Sequence, residues 1–171
     1  MNALILGGQS PRHQVWVRQV AESLQPYFQV VTFLDYRHWQ GDSEPDVAYE
    51  MEQASKLAAT LGEYVIVAKS LGTVITTRAV EKQMLNPAQC VFLGFPLEVV
   101  NKTYQDIAAK LASLPATTVV QNTYDPTGSF ELVEAYVKMH GNRRVNCLET
   151  PGDTHNYIDF ALIAKLASGT H

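Results

Sequence analysis

A serine hydroxyl becomes a nucleophile only when a nearby base takes its proton, and the base serves only when a carboxylate holds it in the right tautomer. The sequence holds a candidate for each role. Ser70 stands in Ala68-Lys69-Ser70-Leu71-Gly72, where a short apolar run gives way to a helical pattern. A sharp strand-to-helix turn would lift this hydroxyl clear of a sheet, and such a turn needs small residues two before and two after the serine. Ala68 and Gly72 meet that need. His155 lies in the turn-rich stretch Glu149-Thr-Pro-Gly-Asp-Thr-His-Asn-Tyr, and Asp125 in Asn122-Thr-Tyr-Asp-Pro-Thr-Gly. The chemistry implied is acyl transfer: Ser70 attacks, His155 acts as base and then acid, and Asp125 orients His155.

Each residue also has a plainer role. Ser70 could cap the helix that follows it. Asp125, before Pro126, is a common turn starter. His155 could be an ordinary surface histidine. Three rival histidines are less well placed: His38 follows the second apolar run, His140 ends a helical segment, and His171 is the last residue; His13, close to the Gly-Gly loop, is the exception. Glu149 and Asp153 are alternative carboxylates, but they share a segment with His155 and reach its Nδ1 less easily than a group from a neighbouring strand end.

Acyl transfer also needs N–H donors aimed at the developing oxyanion. One candidate is the N–H of Leu71, at the positive end of the helix after Ser70. The other is the N–H of Gln9, in Leu6-Gly-Gly-Gln-Ser-Pro, where Gly8 lets backbone and ligand approach closely. Gly7-Gly8 also admits a dinucleotide-binding reading, although the third glycine of that fingerprint is missing and Pro11-Arg12 stands there.

These residues must be carried by something. Nearly continuous apolar runs at 3–7, 29–34, 64–68, 89–94, 117–121 and 144–148 predict strands buried on both faces, as in a parallel sheet. Amphipathic segments at 15–24, 47–61, 71–84, 103–114, 130–140 and 156–167 predict the intervening helices. Strand and helix thus alternate six times. The expected fold is α/β: a three-layer sandwich in one domain spanning 1–171, with a mostly parallel six-stranded sheet and helices on both faces. In such sheets ligands bind at the carboxyl ends of the strands. Ser70, Asp125, His155 and the Gly-Gly loop all fall there.

Composition bounds the rest. At 171 residues the chain can bury a sizeable core without disulfides. A formal charge of −4 with scattered basic residues argues against a nucleic-acid partner. Cys90 and Cys147 sit inside apolar runs and read as buried strand thiols rather than a disulfide framework or metal site. No apolar run approaches the length of a membrane span. The opening residues lack a basic n-region, so a cytoplasmic location is the expectation. No metal and no cofactor are expected, and no oligomeric state is specified.

Taken together, Leu4-Ile-Leu-Gly-Gly-Gln-Ser, Trp16, Val30-Val-Thr-Phe-Leu-Asp-Tyr, the Ala68–Gly72 turn, Asp125, His155 and Gly94-Phe-Pro-Leu resemble the compact, cap-less α/β-hydrolases. Gly7 stands where that family usually carries histidine, and Ala68 where its elbow usually carries glycine. The resemblance implies a serine hydrolase of the carboxylesterase type, cleaving a small-molecule ester, thioester or related acyl bond through an acyl-enzyme. A hydrolase fold kept only for binding is the alternative, because the superfamily includes members that have lost activity. Without a cap the cleft would be walled by loops. Trp39 and Phe95, with Tyr36, His38 and Leu97, are candidates for its apolar lining. Lys69 and Gly8 are further candidate contacts, Lys69 through an anionic substrate or a nearby acid. Arg12 and His13 are weaker candidates for contacting a carboxylate.

Overall fold

The computed structural model describes residues 1–41 and 43–169. Six strands form one wholly parallel sheet in the order β2-β1-β3-β4-β5-β6. They are β1 (Asn2–Leu6), β2 (Val31–Phe33), β3 (Tyr64–Lys69), β4 (Gln89–Leu93), β5 (Ala116–Asn122) and β6 (Val145–Thr150). The register aligns Leu6 of β1 with Ala68 of β3, and Lys69 with Leu93 of β4, so the strand ends that carry the candidate residues lie side by side. Every residue of β3 is buried, which explains its unbroken apolar run. At the sheet edge, β6 mixes buried, partly covered and exposed positions. Cys90 is buried in β4 and Cys147 is partly covered in β6.

The helices are α1 (His13–Leu24), α2 (Val47–Ala58), α3 (Leu71–Glu81), α4 (Leu97–Thr103), α5 (Ile107–Lys110), α6 (Phe130–His140) and α7 (Phe160–Ser168). On α1, Trp16, Val17, Val20, Ala21 and Leu24 form the buried stripe read from the sequence. Burial of Val17, Val20 and Leu24 contributes about 1.5–3 kcal/mol each. None of the helices among the described residues is long and apolar enough to cross a membrane.

Two segments differ from expectation. The link from β4 to β5 is not one helix over 103–114 but α4, α5 and a 3₁₀ turn, Leu111–Ser113. Tyr104 leaves helical geometry, at φ −124° and ψ 47°, while buried Leu97, Val100, Ile107 and Leu111 anchor the pieces to the core. The last helix starts at Phe160 rather than residue 156. The carbonyls that would begin an earlier helix are already taken. Asn122 Nδ2 donates to the carbonyls of Thr154 at 2.8 Å and Asn156 at 3.2 Å, and Trp16 Nε1 donates to that of Tyr157 at 2.7 Å. Asp159 then caps α7, its Oδ1 accepting from Leu162 N at 2.9 Å.

Candidate active site

Ser70 sits between β3 and α3 at φ +50° and ψ −113°, a conformation that side-chain-bearing residues rarely adopt. It is held there from both sides. Its N–H donates to the carbonyl of Leu93 at 3.1 Å, and the N–H of Gly72 donates to that of Gly7 at 3.0 Å. A Cβ on Gly72 would lie 2.4 Å from the Leu6 carbonyl oxygen, so the close approach of helix and sheet requires glycine. Although Ser70 stands at the N-cap position of α3, its side chain makes no capping hydrogen bond. The helix-cap role is therefore corrected, and the hydroxyl is left without a structural duty.

His155 and Asp125 meet across the loops after β6 and β5. His155 Nδ1 lies 2.8 Å from Asp125 Oδ2 and 3.0 Å from Oδ1. A carboxylate accepts only, so Nδ1 carries the proton and the lone pair of a neutral ring falls on Nε2. That Nε2 is buried and has no hydrogen-bond partner among the described residues. Ser70 Oγ makes no hydrogen bond to it. Space for the ring comes from Gly94, at φ +63°, where a Cβ would fall 2.6 Å from His155 Cε1.

Two further residues complete this arrangement and were not singled out in the sequence. The Tyr157 hydroxyl donates to Asp125 Oδ2 at 2.7 Å and accepts from the N–H of Asn122 at 3.0 Å. Thr127 donates to Asp125 Oδ1 through both its N–H and its Oγ1, each at 2.8 Å. Burial pushes the Asp125 carboxyl up, but the hydrogen bonds from His155, Tyr157 and Thr127 outweigh it and hold the group below the ordinary range. Burial and the bond to Asp125 push the Tyr157 phenol far above its usual range, so it stays a donor. The only available signal was positional: both residues lie two places from a candidate, Thr127 from Asp125 and Tyr157 from His155.

The Gly-Gly loop is fixed from beneath. The Tyr36 hydroxyl donates to the carbonyl of Gly7 at 2.9 Å. Trp39 Nε1 donates to the carbonyls of Gly8 at 3.2 Å and Gln9 at 3.1 Å, and His38 Nε2 lies 2.9 Å from the latter. Gly8 is buried beneath the ring of His13, where a Cβ would meet the ring at 2.4 Å. Leu71 is buried at the first position of α3, where its N–H has no intrahelical acceptor.

The expected cleft lining is corrected in part. Phe95 has no exposed surface; it packs against Tyr136, its N–H bonded to Gln121 Oε1 at 2.8 Å. Trp39 is 6% exposed and packs at a tilt against Tyr36 under the loop, with ring centroids 4.6 Å apart. These aromatics pack the rim onto the sheet instead of walling a cleft. Lys69 is neither solvated nor paired with an acid. It is 2% exposed, and its Nζ donates to His13 Nε2 at 2.9 Å. Burial brings the Lys69 ammonium down to about 8. Burial, and next the Lys69 charge, bring His13 down to about 4, so at neutral pH the lysine is charged and the histidine neutral. His140 lies at the end of α6, away from these residues, and His171 lies outside the described residues.

No protein-family model and no curated protein matches the sequence. Solved structures do match. An α/β serine hydrolase homologue from Coxiella burnetii superposes with a TM-score of 0.75 at 17% identity, covering 99% of this chain and 84% of the other. A monoacylglycerol lipase from Paleococcus ferrophilus gives 0.72 at 11% identity, covering 98% and 94%. Est1E from Butyrivibrio proteoclasticus, solved with ferulic acid bound, gives 0.70 at 15% identity, covering 98% and 86%. At these identities the likeness concerns the fold: the chain has the α/β-hydrolase fold.

Proposed function

We propose that the protein is a serine hydrolase that cleaves a small-molecule carboxylic ester, thioester or related acyl bond through an acyl-enzyme. Ser70 attacks the carbonyl. His155 takes its proton through Nε2 and later gives it to the leaving group. Asp125 holds His155 in the required tautomer and stabilises the imidazolium. The N–H groups of Gln9 and Leu71 receive the oxyanion. The observation that carries this reading is the 2.8 Å bond between His155 Nδ1 and Asp125 Oδ2, which leaves Nε2 unpaired, together with a strand-to-helix turn that presents an uncommitted serine. None of these steps calls on a metal or an organic cofactor.

A second reading, a hydrolase fold retained for binding, is favoured by one observation: Ser70 Oγ and His155 Nε2 are not hydrogen-bonded. In unliganded sites such contacts are often long and tighten around substrate. Incubation with a fluorophosphonate probe tests both readings. Labelling of the native chain, abolished in Ser70→Ala and strongly slowed in His155→Ala, supports the hydrolase. A folded native chain that is never labelled supports the binding protein.

A further inference from the structure

Lys69 poses an electrostatic problem that the proposed acyl-transfer chemistry does not use. A buried charge is costly unless paired, and lysine is rarely fully buried without a partner of opposite sign. Here the partner is a histidine that also lacks negative charge. An ammonium has three N–H donors. His13 Nε2 accepts one, and no carboxylate oxygen lies within ion-pairing distance of Nζ among the described residues.

The same two residues open onto a cavity of about 340 Å³ between the Gly-Gly loop and the His155 segment. His155 itself lines it. Trp16 and Tyr157 form its apolar body, and exposed Val15 and Ile158 stand at its rim. Arg12, also exposed, adds a second cation that has no ion-pair partner among the described residues. One cavity therefore joins the proposed base to an apolar wall and to two positive charges that have no ion-pair partner among the described residues, the Asp125 carboxylate acting on Lys69 only from beyond ion-pairing distance. No acidic side chain lines it.

We infer that this cavity is a carboxylate subsite, and that the substrate is an ester bearing a free carboxylate, held by Lys69 and Arg12, with its carbon chain against Trp16 and Tyr157. The inference rests on the hydrolase reading and names its substrate class. A bound carboxylate supplies acceptors for the unused Lys69 donors and a negative charge in direct contact, which Asp125 does not provide. Arg12 offers a fork that matches carboxylate geometry. Ester and thioester substrates without an anion would leave both cations without an ion-pair partner in the cavity that His155 lines.

The test compares matched substrates with the full chain near neutral pH. Monoethyl glutarate is set against its neutral isostere, ethyl 4-carbamoylbutanoate, to probe the acyl side. O-acetylglycolate is set against O-acetylglycolamide to probe the alcohol side. The expected result is a preference of about tenfold or more for the carboxylate on one pair, expressed mainly in KM and reduced by high salt. The carboxylate-to-amide ratio should fall severalfold in Lys69→Met and in Arg12→Gln, whatever the absolute rates. Arg12 is exposed, so its variant keeps the test sound if Lys69→Met does not fold. A ratio near one on both pairs, with Ser70 labelled by fluorophosphonate, overturns the subsite and leaves the hydrolase standing. A stronger preference for a phosphonate analogue overturns the carboxylate assignment. If the chain is neither labelled nor active, the hydrolase reading has failed, and calorimetric titration of glutarate decides the subsite alone. Binding that weakens in Arg12→Gln supports it, and no binding overturns it.

Discussion

Trp39 Nε1 donates to the carbonyl of Gly8 at 3.2 Å, and this bond sets which way the Gly8–Gln9 peptide faces. In a trans peptide the carbonyl and the next N–H point in opposite directions. With the Gly8 oxygen turned inward to the indole, the N–H of Gln9 is turned outward, where the proposed oxyanion would form. Trp39 thus acts as a positioning residue rather than a wall of the cleft. In Trp39→Phe an aromatic ring remains, smaller than the indole, and the donor is lost. We expect kcat to fall by about tenfold, less than the 10²–10³ cost of deleting an oxyanion donor outright. KM should change little, and fluorophosphonate labelling should slow in parallel. An equal loss in KM alone would point to a wall after all.

Gly72 and Gly62 make a matched pair. Both would gain one methyl group as alanine, but Gly72 faces the Leu6 carbonyl at 2.4 Å, whereas a Cβ on Gly62 meets open space. Gly62 has φ +66°, so Gly62→Ala should cost about 1–2 kcal/mol from backbone strain and leave labelling intact. Gly72→Ala must push α3 away from the sheet. It should cost more, about 3 kcal/mol, and abolish labelling even where the chain still folds. Urea midpoints and labelling rates of the two variants decide this.

Tyr157→Phe removes a donor from Asp125 and an acceptor from the N–H of Asn122. Leaving that buried N–H unpaired should destabilise the chain by about 1–3 kcal/mol. The Asp125 carboxyl should rise toward its ordinary value, because one of the bonds holding it down is gone. A carboxyl lowered on folding contributes stability that is present above the unfolded value of 3.8 and is lost as pH falls through the lower folded value. Between 3.8 and that lower value, the stability of Tyr157→Phe should therefore fall less steeply with acid than that of the native chain. An unchanged acid limb would argue that His155 and Thr127 alone hold the group.

His13 predicts a second pH effect of its own. Its folded value is about 4 against 6.5 when free, chiefly from burial and then from Lys69. The unfolded chain therefore binds the extra proton first, and stability falls as pH drops from 6.5 toward 4. His13→Gln keeps an acceptor for Lys69 and loses the titration. Its thermal midpoint should decline less than that of the native chain between those values.

Much of the fold could be read along the chain. Continuous apolar runs marked strands covered on both faces, and every one is found in the sheet. The break at Tyr104 and the late start of α7 could not be read this way. They depend on who claims a backbone carbonyl, and Trp16, which takes that of Tyr157, is 141 residues away. Strand periodicity likewise placed Ser70, Asp125 and His155 at strand ends, because position along an element is a local property.

What the sequence determined by itself was the order of elements and the presence of a serine, an acid and a histidine at their carboxyl ends. Local patterning is enough for that. Tertiary structure decided which side chains face one another. It freed Ser70 from capping, gave Asp125 its bonds from Tyr157 and Thr127, and sent Trp39 and Phe95 into the packing. It also buried Lys69 against a neutral histidine. The physical reason is that a loop side chain's partner is set by how distant segments pack, and burial then decides whether its charge is matched.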